Sequence, residues 1–188
     1  MNPSLKTAPL IEPMTLQEAK DHLKVDLGDD DSFIIPLIVV ARREAEEFME
    51  RALVTQTWEY FLDAFPGKDT TAILLPRPPL QTLTSIKYID TDGILQTWSN
   101  TLYKVDDKRE PARIVPAFNE SYPDTRVEIN AVTIEFIAGY GLNAQDLPED
   151  LVHAMKLIIS DRYENRGGPG DIPPAAKVIL GWYRDQRF

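Results

Sequence analysis

Residues 73–98, ILLPRPPLQTLTSIKYIDTDGILQTW, constrain the fold more than any other stretch of the chain. Ile73, Leu74 and Leu75 form a short apolar run of strand type. The run Pro76, Arg77, Pro78, Pro79 then stiffens the backbone, because each proline fixes φ near −65° and removes an N–H donor. From Leu80 the chain alternates: Leu80, Thr82, Thr84, Ile86 and Tyr88 face one way, Leu83, Ser85, Lys87 and Ile89 the other. Asp92 and Gly93 can supply the positive φ angles of a tight turn, so residues 94–98 return as the partner strand of a hairpin.

The flanking sequence is helical. The first fourteen residues hold three prolines (Pro3, Pro9, Pro13) and read as an extended arm, 1–14, ordered on a neighbour. Thr15 and Glu18 make a capping-box signature for a helix over 16–24. A second helix is expected over 32–51, capped by Asp31 or Ser32, with Pro36 in its first turn. Its core stripe is Phe33, Leu37, Val40, Ala41, Ala45, Phe48 and Met49; Arg42, Arg43, Glu44, Glu46, Glu47 and Glu50 take the wet side. Strands follow over 54–62 and 126–137, with loop-like sequence over 100–123 and a short strand at 102–105. A third helix over 148–165 has Pro148 at its first position, Asp146 as cap and a stripe of Leu151, Met155, Ile158 and Ile159. Pro173 and Pro174 open a short last helix ending near Leu180. Helices and strands come in runs, so the class is α+β: a small bundle of about four helices with an antiparallel β-strand block, 54–141, inserted in it.

Composition narrows the chemistry. The chain has 188 residues, 43% of them hydrophobic, and no cysteine, which excludes disulfides and thiolate metal sites. No basic-then-apolar leader and no apolar run of about 20 residues is present, so cytosolic synthesis is expected. The net charge of −10 argues against a protein that grips nucleic acid through its phosphates. The acid run Asp26, Asp29, Asp30, Asp31 lacks calcium-loop spacing and reads as a solvated loop. His22 and His153 sit beside acids on helices without a serine or cysteine nucleophile in a known arrangement. The glycines at 139, 141, 167, 168 and 170 lack the lysine of a phosphate loop. No catalytic, cofactor or metal residue is expected. Trp58, Trp98 and Tyr88 could form a stacking platform for DNA or glycan, against a core or cross-strand role. A metal-dependent hydrolase built on dispersed carboxylates is a weaker alternative.

The wording of the chain resembles the head–tail connector (adaptor) proteins of long-tailed phages, prophages and gene transfer agents. The resemblance is carried by TLQEAKDHL at 15–23, RALVTQTW at 51–58, LPRPPLQTLTSIKYIDTDG at 75–93, YKVD at 103–106, PARI at 111–114, AVTIEFIAGYG at 131–141 and YENR at 163–166. These seven fragments run in family order over most of the chain. They imply a structural virion protein and not an enzyme, with no cofactor. It would occupy the host cytoplasm before assembly and the head–tail interface of the virion after it. The implied partners are other copies of itself in a ring of twelve, the portal protein, a tail-side stopper or terminator, and genomic DNA passing without sequence-specific binding. Twelve chains at −10 each would carry −120, and a negative channel wall would let DNA slide. Acidity that merely keeps the monomer soluble reads the same way in the sequence.

Within that reading, 15–166 is a single connector domain and 167–188 a hinge with a portal-docking segment. Ile179, Leu180, Trp182, Tyr183, Arg184, Arg187 and Phe188 put large rings beside arginines, the side chains that dominate interface hot spots. The same residues could pack back on their own bundle. Arg77, between prolines, serves either an interface or a corner between strands. With Asp107, Lys108, Arg109 and Arg113 it makes a second candidate set facing a neighbouring subunit or the tail.

Overall fold

The computed structural model describes residues 3–67, 70–166 and 170–184. Among the described residues the class is α+β, with four α-helices, a five-stranded sheet and a three-stranded sheet, and the strands within each sheet pair antiparallel. The chain forms two compact units, one of residues 1–9 and 55–139, the other of residues 10–54 and 140–188.

The first unit is the β block. Its larger sheet has the order β1-β2-β8-β4-β5, built from β1 (Ser4–Thr7), β2 (Gln56–Leu62), β8 (Val132–Ala138), β4 (Leu80–Ile89) and β5 (Leu95–Thr97). The smaller sheet is β3 (Ile73–Leu74), β7 (Arg113–Pro116) and β6 (Tyr103–Asp106). The central strand β8 alternates strictly, with Val132, Ile134, Phe136 and Ala138 fully buried, as a strand with one core face must. An aromatic cluster packs with them: Phe65 lies 5.2 Å from Trp98 and 5.4 Å from Tyr122, and Trp98 lies 5.0 Å from Tyr103. The Tyr122 hydroxyl donates to the carbonyl of Thr71 at 2.7 Å.

The β4–β5 hairpin follows the expected course. Gly93 takes φ +85°, and the Asp90 carboxylate accepts the backbone N–H of Asp92 and of Ile94. Three expectations change. The segment 126–131 is a loop that exposes Val127 and Ile129, so strand β8 begins only at Val132; Asn130 adopts φ +58°, which breaks an extended run. The region 100–123 contains β7 as well as β6, and the two pair from Tyr103–Pro116 to Asp106–Arg113. The first residues are not an arm without a partner in their own chain, because β1 pairs with β2 through Ser4–Glu59 and Leu5–Trp58.

The second unit is helical: α1 (Leu16–Leu23), α2 (Asp31–Met49), α3 (Glu149–Glu164) and α4 (Pro174–Gly181). The capping box forms as expected, with Glu18 N–H donating to the Thr15 hydroxyl and Thr15 N–H donating to the Glu18 carboxylate. Leu151, Met155, Ile158 and Ile159 are the buried stripe of α3. The α2 stripe is turned by about one residue. Ile34, Ile38, Ala41, Ala45 and Met49 are its buried centre, with Leu37 and Phe48 at the margin and Val40 exposed.

Arg42 and Glu46, expected on the wet side, are buried. Arg42 pairs with Glu46 at 2.8 Å and with Glu12 at 2.8 Å, and Glu46 also accepts the Leu53 N–H at 2.9 Å. Fully partnered charges can occupy a helix's inner face, and periodicity alone does not reveal them. The N-cap of α2 is Asp30, whose carboxylate makes no cap bond. Pro36 is the sixth helical residue, beyond the first turn, where its ring removes the bond to the Ser32 carbonyl. Pro148 is the N-cap of α3 rather than its first residue, and Asp146 instead closes the short 3-10 turn Ala144–Asp146 by accepting the Asn143 N–H at 2.8 Å.

Candidate functional site

The C-terminal candidates belong to the helical unit. Pro174 starts α4 with its φ already set, and the helix buries one edge through Ala176 and Leu180. Leu180 is therefore core and presents no surface to a partner. Ile179 and Tyr183 are half-buried against the same core. Tyr183 is held further: its hydroxyl points to the Asp150 carboxylate at 3.4 Å, and its carbonyl accepts from Arg51 at 3.3 Å. Burial, then the Asp150 charge, raises the pKa of the Tyr183 phenol. The Arg184 guanidinium lies 5.3 Å from the centre of the Phe48 ring. Trp182 is the outward residue, 68% exposed, and Val178, one turn before it, is 60% exposed. The helix thus divides its apolar residues into an inner edge and an outer Val178–Trp182 pair. Arg187 and Phe188 lie outside the described residues.

The second candidate set belongs to the β unit. Asp107, Lys108 and Arg109 sit exposed at the tip of the β6–β7 hairpin. Arg113 is tied to the same hairpin by a 2.9 Å pair with Asp106, whose carboxylate also accepts the Lys108 N–H. These residues are brought together. Arg77 is at another place, the corner between β3 and β4, with φ +60° and its guanidinium 5.1 Å from the centre of the Trp58 ring.

The stacking platform does not form. Trp98 is enclosed by Phe65, Tyr103 and Tyr122, and Trp58 is buried beneath Arg77. A base or sugar ring has no face of either tryptophan to stack on.

Sequence reasoning did not foresee the group around Asp30. The Tyr163 hydroxyl donates to its carboxylate at 2.5 Å and Arg166 pairs with it at 3.3 Å. Arg166 also lies 4.5 Å over Phe33 and 5.1 Å over Tyr163. The Tyr163 hydrogen bond, ahead of Arg166, lowers the pKa of Asp30. The signal was in the chain, since YENR puts Tyr163 in the last turn of α3 and Arg166 just past its end, but nothing local names their partner.

A cleft of about 430 Å³ in the helical unit is lined by Glu18, Gln145, Glu149, His153 and Lys156 among others, with no serine, threonine or cysteine in the lining. His22 has its pKa lowered by burial first and then by Lys156 and His153. Among the described residues no group of three or more His, Asp or Glu stands close enough to hold a metal ion, and no helix is long and apolar enough to cross a membrane.

Residues 13–102 match the family model described as phage gp6-like head–tail connector protein. A chain of the virion of a native gene transfer agent particle is similar over 100% of this chain and 97% of its own length, with TM-score 0.82 and 24% identity. A chain in the neck of an empty gene transfer agent particle, computed with C6 symmetry, gives TM-score 0.82 and 23% identity over the same shares. One in the neck of a native particle, computed with C12 symmetry, gives TM-score 0.78 and 23% identity, again over 100% and 97%. No curated protein matches the sequence. The family match spans just under half of the chain, and the three solved structures share its fold.

Proposed function

We propose that this protein is a structural subunit of the virion neck: copies form a closed ring below the portal, continue the DNA channel and present a surface to the tail. The observation that carries this reading is the end-to-end likeness of the fold to chains of gene transfer agent necks, joined to the connector-family match over 13–102. A ring of twelve is the natural copy number, since one of those necks was computed with C12 symmetry. A head-to-tail interface whose rotation closes makes such a ring from one chain type.

The mechanism is contact energy. The acidic chain, at −10, repels its own kind in dilute solution and also repels DNA, so a channel built from it passes the genome without holding it. The Val178–Trp182 face, with the residues that follow it, docks on the portal, while the β6–β7 hairpin meets a neighbour or the tail. The tail segment 167–188 acts as a unit in this docking, and 15–166 supplies the ring wall. Negative-stain microscopy of the purified protein, alone and mixed with portal, tests the reading. Rings seated on the portal are expected; particles that are tailed and infectious without this subunit would overturn it.

A further inference from the structure

We propose that β1 is an exchangeable strand: in the assembled ring, residues 4–7 pair with β2 of an adjacent copy instead of β2 of their own chain. The proposal rests on the ring reading above and adds the way the copies are joined.

Strand β1 is the edge of the larger sheet, and all four of its residues are exposed. No apolar burial secures it. It is held by the backbone ladder and by Lys6, which bridges Glu59 on β2 at 3.0 Å and Glu135 on β8 at 2.7 Å. The chain is fixed again only at Glu12, paired with Arg42, and at the buried Pro13 and Met14. Between these anchors lie residues 8–11, with Leu10 92% exposed. Four extended residues reach at most about 14 Å, a short hinge of the kind that favours exchange between copies.

Exchange keeps every pairing of the closed form, so the ladder and the Lys6 bridges are conserved in number and the balance is set by the hinge and by local concentration. In solution the chain's own β2 wins. In a ring, each neighbour's β2 is held at a fixed short distance, and each strand taken from one copy is replaced from the next. The partner is a second copy of this chain because the receiving edge already matches this strand: Glu59 and Glu135 both pair with Lys6.

The absence of cysteine gives a direct test. Ser4 and Glu59 are cross-strand partners, so the double variant Ser4→Cys/Glu59→Cys links covalently wherever β1 meets β2. Necks isolated from particles carrying the variant are oxidised and run on a non-reducing denaturing gel. The expected result is a ladder extending well beyond dimer, collapsing to one band on reduction, with either single-cysteine variant stopping at dimer. Dilute monomer gives only an internal link. Necks whose chains all run singly, whether internally linked or unlinked, overturn the exchange. Microscopy of the same sample separates the two ideas: no rings sinks the ring reading, while rings with only internal links sink the exchange alone. A second pair, Thr7→Cys/Thr57→Cys, reads the same pairing while leaving Glu59 in place.

Discussion

Tyr163 on α3 donates its hydroxyl to the carboxylate of Asp30 at the start of α2, joining residues 133 positions apart. That bond takes the acid that would otherwise cap α2 and uses it to fasten two helices. Asp30 has its folded pKa lowered by Tyr163 and Arg166. A depressed carboxylate contributes stability that is full above its unfolded pKa and is lost as pH falls through the folded one. Acid titration of thermal stability is therefore expected to show a loss below about pH 4 that is smaller in Tyr163→Phe and in Asp30→Asn, the remainder coming from other lowered carboxylates such as Glu18 and Asp90. Circular dichroism melts across pH 2–6 measure it; identical acid profiles for all three proteins would remove the assignment.

The buried Arg42–Glu46 pair makes a stability prediction of the opposite kind. Both side chains are 7% exposed and Glu46 also holds the Leu53 N–H. Glu46→Ala leaves a buried guanidinium short of a partner and is expected to cost about 3 kcal/mol. Glu46→Gln, whose one carbonyl oxygen replaces one of the two acceptors and keeps the side chain's volume, is expected to cost less. Urea unfolding midpoints decide the order.

Gly141 is packed against the side chain of Asp146, and a Cβ at this position would collide with the Asp146 carboxylate and its Cβ. Gly141→Ala is expected to destabilise by about 1–3 kcal/mol. Asp146→Gly removes both the colliding carboxylate and the colliding Cβ but also the bond from Asn143, so the double variant should lose less than the sum of the two single ones. A double-mutant cycle by chemical denaturation measures the coupling.

If the Val178–Trp182 face docks on the portal as proposed, Trp182 separates folding from assembly. It is 68% exposed at the C-cap of α4, whereas Leu180 within the helix is fully buried. Trp182→Ala is expected to leave the melting temperature unchanged while weakening portal binding about thirtyfold, the loss typical of a central aromatic hot spot. Leu180→Ala is expected to do the reverse in the first instance, lowering stability by about 2–5 kcal/mol. Surface-bound portal and paired melts distinguish them.

What the sequence revealed followed from local physics. The capping box at Thr15, the α3 stripe and the Gly93 turn each depend on residues within a few positions of one another. What it concealed depends on distant partners. Arg42 and Glu46 look like a solvated pair until Glu12 and the Leu53 N–H are brought to them. Asp30 looks like one acid of a solvated loop until Tyr163 and Arg166 are brought to it. Strand β7 is four residues long and needs β3 and β6 on either side to exist. Conversely, Val127 and Ile129 imitate a strand by alternation alone, and the left-handed Asn130 ends the imitation. Of the candidate surfaces, the hairpin tip was legible as charge on a loop. The split of α4 into a buried Leu180 and an outward Trp182 needed the fold.

The helical unit takes its first two helices from one side of the β block and its last two from the other. A ribosome therefore delivers α1 and α2 with Ile34, Ile38 and Ala45 uncovered, and must translate all of 55–139 before α3 can shelter them. Neither unit can be obtained by cutting the gene once. The β block has every strand in hand as soon as Ala138 emerges, so it is free to close while the helical half still waits, and a pause in translation before residue 149 would strand the chain with its greasiest helix face bare.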